Sequence, residues 1–116
     1  MSSATEHNQI SYIEFTSTDL ARTKAFYGAV FGWKFKDWGP DYIGIEGAGV
    51  EGGFAKGEAP AKSSPLIVLY SKDLKATEDA IVAAGGSIVV PTFDFPGGRR
   101  FHFSDSVGNV LAVWSE

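Results

Sequence analysis

The chain has 116 residues, 44% of them apolar and 21% charged, with a net charge of −4 at pH 7. That length fits one domain burying roughly two-thirds of its unfolded surface, and the acidic balance, with Arg99-Arg100 its sole arginine pair, argues against a nucleic-acid partner. Without cysteine there are no disulfides or thiolate metal sites, and no apolar run is long enough to span a bilayer.

The first nine residues, MSSATEHNQ, are polar and lack the apolar core of a signal peptide. They read as a flexible tail, residues 1–9, in which His7 has no specific role; cytoplasm is the expected location. Gln9 to Thr16 alternates with period two and reads as a strand. Ser17-Thr18-Asp19 offers caps for a helix from about Leu20 to Phe31, which Gly32 stops. Trp33 to Asp37, Tyr42 to Glu46 and Gly52 to Lys56 read as three short strands joined by glycine-rich turns. Glu58 to Pro65 is a polar, proline-bounded connection.

The pattern then recurs. Leu66 to Tyr70 reads as a strand, Asp73 as the cap of a helix from about Leu74 to Ala84, and Gly85-Gly86 as its end. Ser87 to Val90, Arg99 to Ser104 and Val110 to Trp114 read as three more strands. A shift of 54 residues lays Asp19-Leu20 on Asp73-Leu74, Thr23 on Thr77 and Gly32 on Gly86. The reading is one α+β domain over 10–116, made of two βαβββ modules at about 10–57 and 66–116. Each module has a sheet covered by its helix on one face. The free faces can form a half-open, eight-stranded, barrel-like sheet around one small ligand.

The motifs STDLARTKAFYGAVFGW near the start and GGRRFHFSDSVGNVLAVW at the end carry a resemblance to the vicinal oxygen chelate superfamily. That group holds glyoxalase I, the extradiol dioxygenases and the bleomycin-resistance proteins. The resemblance covers Ile10 to Ser115 and implies the same paired-module fold; Ser106 replaces the proline of the family's commoner D-P-x-G-N turn. It further implies a divalent metal held by His, Gln or Glu on the first and fourth strands of each module. Counted from Asp19 and Asp105, those positions fall on Tyr12, Leu66 and Ala112, with the remaining one near Gly53 and Glu51 as the nearby carboxylate. A divalent cation needs several nitrogen or oxygen donors, and leucine and alanine side chains supply none. The expectation is a site with no metal and no cofactor.

The same resemblance, with strand alternation, turns Ile10, Tyr12 and Glu14 inward, together with Leu66, Val68, Tyr70, Val110, Ala112 and Trp114. Family register turns Arg100 and His102 inward as well. Tyr12, Tyr70, Arg100 and Trp114 are candidate ligand-binding residues, and Glu14 and His102 candidate catalytic ones. Arg100 could hold a carboxylate or phosphate, and Glu14 or His102 could move a proton. Each has a structural alternative: His102 as a satisfied strand histidine, Glu14 and Arg100 as a mutual ion pair, Tyr12 and Trp114 as packing residues with a polar handle.

Three functions compete on these residues. One is binding of a small anionic or aromatic molecule without metal, as in resistance proteins. The second is a glyoxalase-like lyase or isomerase, with a displaced metal or acid–base chemistry by Glu14 and His102. The third is an interaction module using Trp33, Phe35 and Trp38. Neither a nucleic-acid nor a membrane partner is expected, whereas a homodimer is.

Overall fold

The computed structural model describes residues 5–58 and 65–116. The elements run β1 (Ile10–Ser17), α1 (Leu20–Phe31), β2 (Lys34–Asp37), β3 (Tyr42–Glu46), β4 (Gly52–Lys56), β5 (Leu66–Tyr70), α2 (Leu74–Ala83), β6 (Ser87–Phe95), β7 (Gly98–Ser104) and β8 (Val110–Ser115). Residues 1–4 of the expected tail and 59–64 of the expected connection lie outside the described residues. Within the rest of that tail, the Asn8 N–H donates to the Tyr70 carbonyl at 2.8 Å, and His7 Nδ1 accepts from the Lys72 N–H at 3.0 Å.

The 54-residue repeat is reproduced in the capping bonds of the two helix starts. Asp19 accepts from the Arg22 N–H and Asp73 from the Ala76 N–H, both at 3.1 Å. Each satisfies one of the first-turn donors that a helix leaves open, a contribution of about 1 kcal/mol. Behind each cap a serine and a threonine hydroxyl meet at 2.7 Å, Ser17 with Thr23 and Ser71 with Thr77. The helix ends differ. Gly32 closes α1 in the left-handed region at φ 73°, but in the second module that role falls to Gly85, at φ 97°, rather than Gly86. An added Cβ at Gly86 would stand 2.6 Å from the Ile81 side chain, so there glycine serves close packing.

The strands form one mixed eight-stranded sheet in the order β2-β3-β4-β1-β5-β8-β7-β6. β1 is parallel to β4 and β5 to β8, and antiparallel pairing of β1 with β5 joins the two modules. Alternation divides the core between the two faces. One face packs under the helices: Ile43, Ile45 and Phe54 beneath α1, and Phe101 and Val113 against Leu74 of α2. The other carries Tyr12, Leu66, Val68, Tyr70, Ala112 and Trp114 in a single cluster. Strand parity for Tyr12, Leu66 and Ala112 is therefore as expected from the sequence.

Two local expectations are corrected. Ile10 is 65% exposed, because the β1–β5 register shifts between Ile10 and Tyr12, and buried Ser11 lies beside Trp114 instead. The strand expected over Ser87–Val90 continues through Pro91 to Phe95. Proline lacks a ladder donor but is accepted on an edge strand or at a bulge, and β6 supplies both. Val90 pairs with His102 and Phe93 with Arg100, so three steps along β6 match two along β7.

Candidate functional site: a cleft on the face opposite the helices

The sheet face turned away from the helices holds a cleft of about 790 Å³. β1 places Tyr12 and Glu14 in it, β3 places Tyr42 and Gly44, and β7 places Arg100. Phe93 and Phe95 of edge strand β6 and Trp38 of the β2–β3 turn complete its aromatic sides. Mostly apolar walls with a few placed polar groups suit a small ligand.

The polar floor is a connected network. Arg100 forks onto Glu14, with Nη2 at 3.2 Å from Oε2 and Nη1 at 3.4 Å from Oε1. Both side chains are 14% exposed, so the pair sits in an environment that strengthens it. The Tyr42 hydroxyl lies 3.2 Å from Glu14 Oε1 and 2.8 Å from the Tyr12 hydroxyl, and its one proton serves either neighbour. Burial pushes both phenols above the ordinary tyrosine range, and the Glu14 carboxylate adds to the effect. Both therefore stay protonated at neutral pH: Tyr42 donates, and Tyr12 accepts from it while keeping its own proton. Gly53 makes their meeting possible: a Cβ there would stand 2.5 Å from each hydroxyl oxygen.

Arg100 is also packed on aromatic faces, its Cζ 5.4 Å from the Phe93 ring centre and 5.7 Å from that of Phe95. Its Nε is buried with no hydrogen-bond partner among the described residues. His102, two residues along, is outside the cleft lining, with its ring 5.8 Å from that of Phe93. Its Nε2 is likewise buried and unpartnered among the described residues. Burial lowers the His102 pKa and the Arg100 charge lowers it further, while Glu14 opposes both. The imidazole is neutral at pH 7.

Tyr70 and Trp114 lie beneath the cleft rather than on it. Their rings pack edge to face at 5.0 Å. The Tyr70 hydroxyl donates to Glu116 Oε1 at 2.9 Å, and Trp114 Nε1–H donates to Ser11 Oγ at 2.9 Å. Of the residues expected from the sequence, the structure brings Tyr12, Glu14 and Arg100 to the cleft wall. It sets His102 behind Phe93 and keeps Tyr70 and Trp114 in the core.

The metal positions implied by the resemblance can be checked against the donors present. Tyr12 pairs with Val68, and Val68 with Ala112, so the row across the module junction reads phenol, isopropyl and methyl. Leu66 adds an isobutyl group to the same cluster, and the space above Gly53 holds the two tyrosine hydroxyls. Among the described residues no group of three or more His, Cys, Asp or Glu side chains is placed to hold a metal ion. This donor set does not fit a divalent cation.

Tyr42, Phe93 and Phe95 are site residues that the sequence did not single out, and Trp38, named from the sequence as an assembly residue, lines the cleft instead. Tyr42 had a readable signal. Ile43 and Ile45 alternate with it and go under α1, which sends Tyr42, Gly44 and Glu46 to the other face. Phe93 and Phe95 were hidden by Pro91, which truncated the expected strand.

Residues 9–113 match the family model described as Glyoxalase/Bleomycin resistance protein/Dioxygenase superfamily. The chain is 32% identical over 135 residues to a glyoxylase-like domain-containing protein of Didymella fabae, covering 92% of this chain and 93% of that one. It is 27% identical to CFP32 of Mycobacterium bovis, a candidate glyoxylase, over 90% of this chain but 44% of that protein. Among solved structures, the Mn(II)-bound glyoxalase from Novosphingobium aromaticivorans matches with a TM-score of 0.68 at 20% identity, over 94% of this chain and 39% of that one. The chain thus spans less than half the length of those last two proteins. With fold and sequence in agreement, the chain belongs to the glyoxalase/bleomycin-resistance/dioxygenase superfamily. Among the described residues no helix is long and apolar enough to cross a membrane.

Proposed function

We propose that this chain binds a small, flat, largely aromatic molecule in the cleft, without a divalent metal. The observation that carries the reading is the content of the floor. Where the family resemblance asks for metal donors, the chain has a phenol, hydrocarbon side chains and a glycine, with the Glu51 carboxylate two residues from that glycine. A protonated Tyr12–Tyr42 pair and the Glu14–Arg100 fork occupy that ground. Trp38, Phe93 and Phe95 provide ring faces above it, and the phenols provide hydrogen bonds that orient a bound oxygen or nitrogen. Because the terminal nitrogens of Arg100 already face Glu14, an anionic group is accommodated by sharing Arg100 rather than by finding it vacant.

A second reading, a glyoxalase-like lyase or isomerase, rests on one observation. Glu14 lines the cleft with the Tyr42 hydroxyl at 3.2 Å, an arrangement able to take a proton from a bound carbon acid and redistribute it. His102 enters that chemistry only if Phe93 moves aside. The reading also includes a homodimer, supported by Phe26, Val30 and Phe31, which are 55%, 57% and 60% exposed on α1; sedimentation at equilibrium tests it.

The deciding experiment is a titration of small aromatic metabolites followed by the Trp38 indole NMR signal, assigned by Trp38→Phe. Saturable shifts that persist in excess EDTA support metal-free binding. Shifts that appear only with added divalent metal would overturn it. Turnover of a bound compound that is lost in Glu14→Gln moves the function to the second reading.

A further inference from the structure

We propose that Arg100 Nε and His102 Nε2 form a second, covered polar subsite beneath Phe93, and that it accepts the carboxylate or carbonyl oxygens of a ligand. The inference rests on the cleft reading above and adds a place and a chemical class to it. Two facts start it. Arg100 Nε and His102 Nε2 are both buried, and neither has a hydrogen-bond partner among the described residues. A buried polar group left unpaired forfeits its hydration without return, and native proteins keep few of them. Two on one strand, a pair of residues apart, call for a shared explanation.

Their placement supplies one. Arg100 and His102 are alternate residues of β7, so their side chains leave the strand on the same face, with their Cα atoms roughly 7 Å apart. Two donors on one face at that backbone spacing can both turn toward the oxygens of one carboxylate. Arg100 Nε is a fixed donor, and neutral His102 becomes a second when its Nε2 carries the proton. Arg100 meanwhile keeps both terminal nitrogens on Glu14, so an oxygen at Nε need not break that fork.

Phe93 is the cover. Its ring centre lies 5.4 Å from Arg100 Cζ and 5.8 Å from the His102 ring, and it also lines the cleft. It sits on β6, which is hydrogen-bonded on one side alone, next to the register shift that contains Pro91. An edge strand with an irregular ladder is a low-cost place for a side chain to swing. When Phe93 turns outward, the two polar atoms become the end wall of the cleft, and an aromatic acid can stack at Trp38 while its carboxylate reaches them.

The test uses the 15N-labelled 116-residue chain carrying His7→Gln, which leaves His102 as the lone histidine. Benzoate is titrated while the Trp38 indole and His102 imidazole nitrogens are followed. The expected result is that both move along one saturation curve. Acetate, which has no ring to lose stacking, is then titrated into the same protein and into its Phe93→Ala form. If the cover is open in roughly 10% of molecules, removing it tightens acetate about tenfold. A Trp38 shift with an unmoved His102 signal overturns the subsite and leaves the cleft reading standing. Silence at both residues overturns the subsite together with the cleft reading for aromatic acids. Acetate bound equally well, or less well, without Phe93 also overturns the inference, as does a crystal structure with benzoate in which a water alone bridges the two nitrogens.

Discussion

Glu14 and Arg100 stand 86 residues apart in the sequence and meet at 3.2 Å in the fold, tying the first strand of one module to the third strand of the other. Neither module contains this interaction by itself. It is also the polar anchor of the cleft floor, since Tyr42 leans on the same carboxylate.

Breaking that fork on one side should destabilise the fold more than removing it entirely. Arg100→Met leaves a carboxylate largely buried against two phenols, and Glu14→Met leaves a guanidinium against two rings. Each single change is expected to cost about 3 kcal/mol in urea unfolding, whereas the double change to methionine should cost less than either. Additive losses would mean that the two charges do not depend on each other.

Gly53→Ala should strain the floor. Its new Cβ would stand 2.5 Å from both tyrosine hydroxyls and 2.7 Å from the Tyr42 ring, so both hydrogen-bonded phenols would have to shift. A loss of about 2 kcal/mol is expected. Combined with Tyr12→Phe, which removes one of the crowded oxygens, the loss should fall short of the sum of the two single effects. Thermal or urea unfolding of the three variants measures this directly.

Divalent metal should neither bind nor stabilise. After dialysis against Mn²⁺ or Zn²⁺ followed by plain buffer, elemental analysis should find far less than one ion per chain, and Tm should not respond to EDTA. A tight site would raise Tm with ion concentration as mass action requires. That response, with an equivalent of retained metal, would contradict the donor set described above.

Acid should weaken the fold through His102. Its folded pKa lies below the ordinary value of 6.5, chiefly through burial and then through Arg100. The unfolded chain therefore takes up the proton first. Stability from this group is intact above pH 6.5 and is lost as pH falls from there through the lower folded value. Tm should drop over that window in the wild-type chain, and His102→Gln should remove this part of the drop. An identical pH profile in both proteins would rule His102 out as the sensor.

The boundaries of most elements were legible because local chemistry fixes them. Asp19 and Asp73 cap helices with their own side chains, Gly32 ends one with a backbone shape other residues resist, and Ile43 and Ile45 alternate into the core. The 54-residue repeat follows from the same short-range rules, whereas the parity of Tyr12, Leu66 and Ala112 needs the family register as well as strand alternation. Ile10 and β6 were misjudged because register shifts and an edge-strand proline are set by the neighbouring strand, which no local pattern reports.

By itself, then, the sequence determined the βαβββ repeat and the superfamily, and it put leucine and alanine at two of the metal positions that the resemblance implies. Only the tertiary structure decided which inward residues share one cleft. It set Tyr42 between Tyr12 and Glu14 above Gly53, closed Arg100 onto Glu14, and hid His102 behind Phe93. The reason is distance along the chain: strand alternation tells which way a side chain points, but contacts across 28 or 86 residues depend on how the two modules are joined.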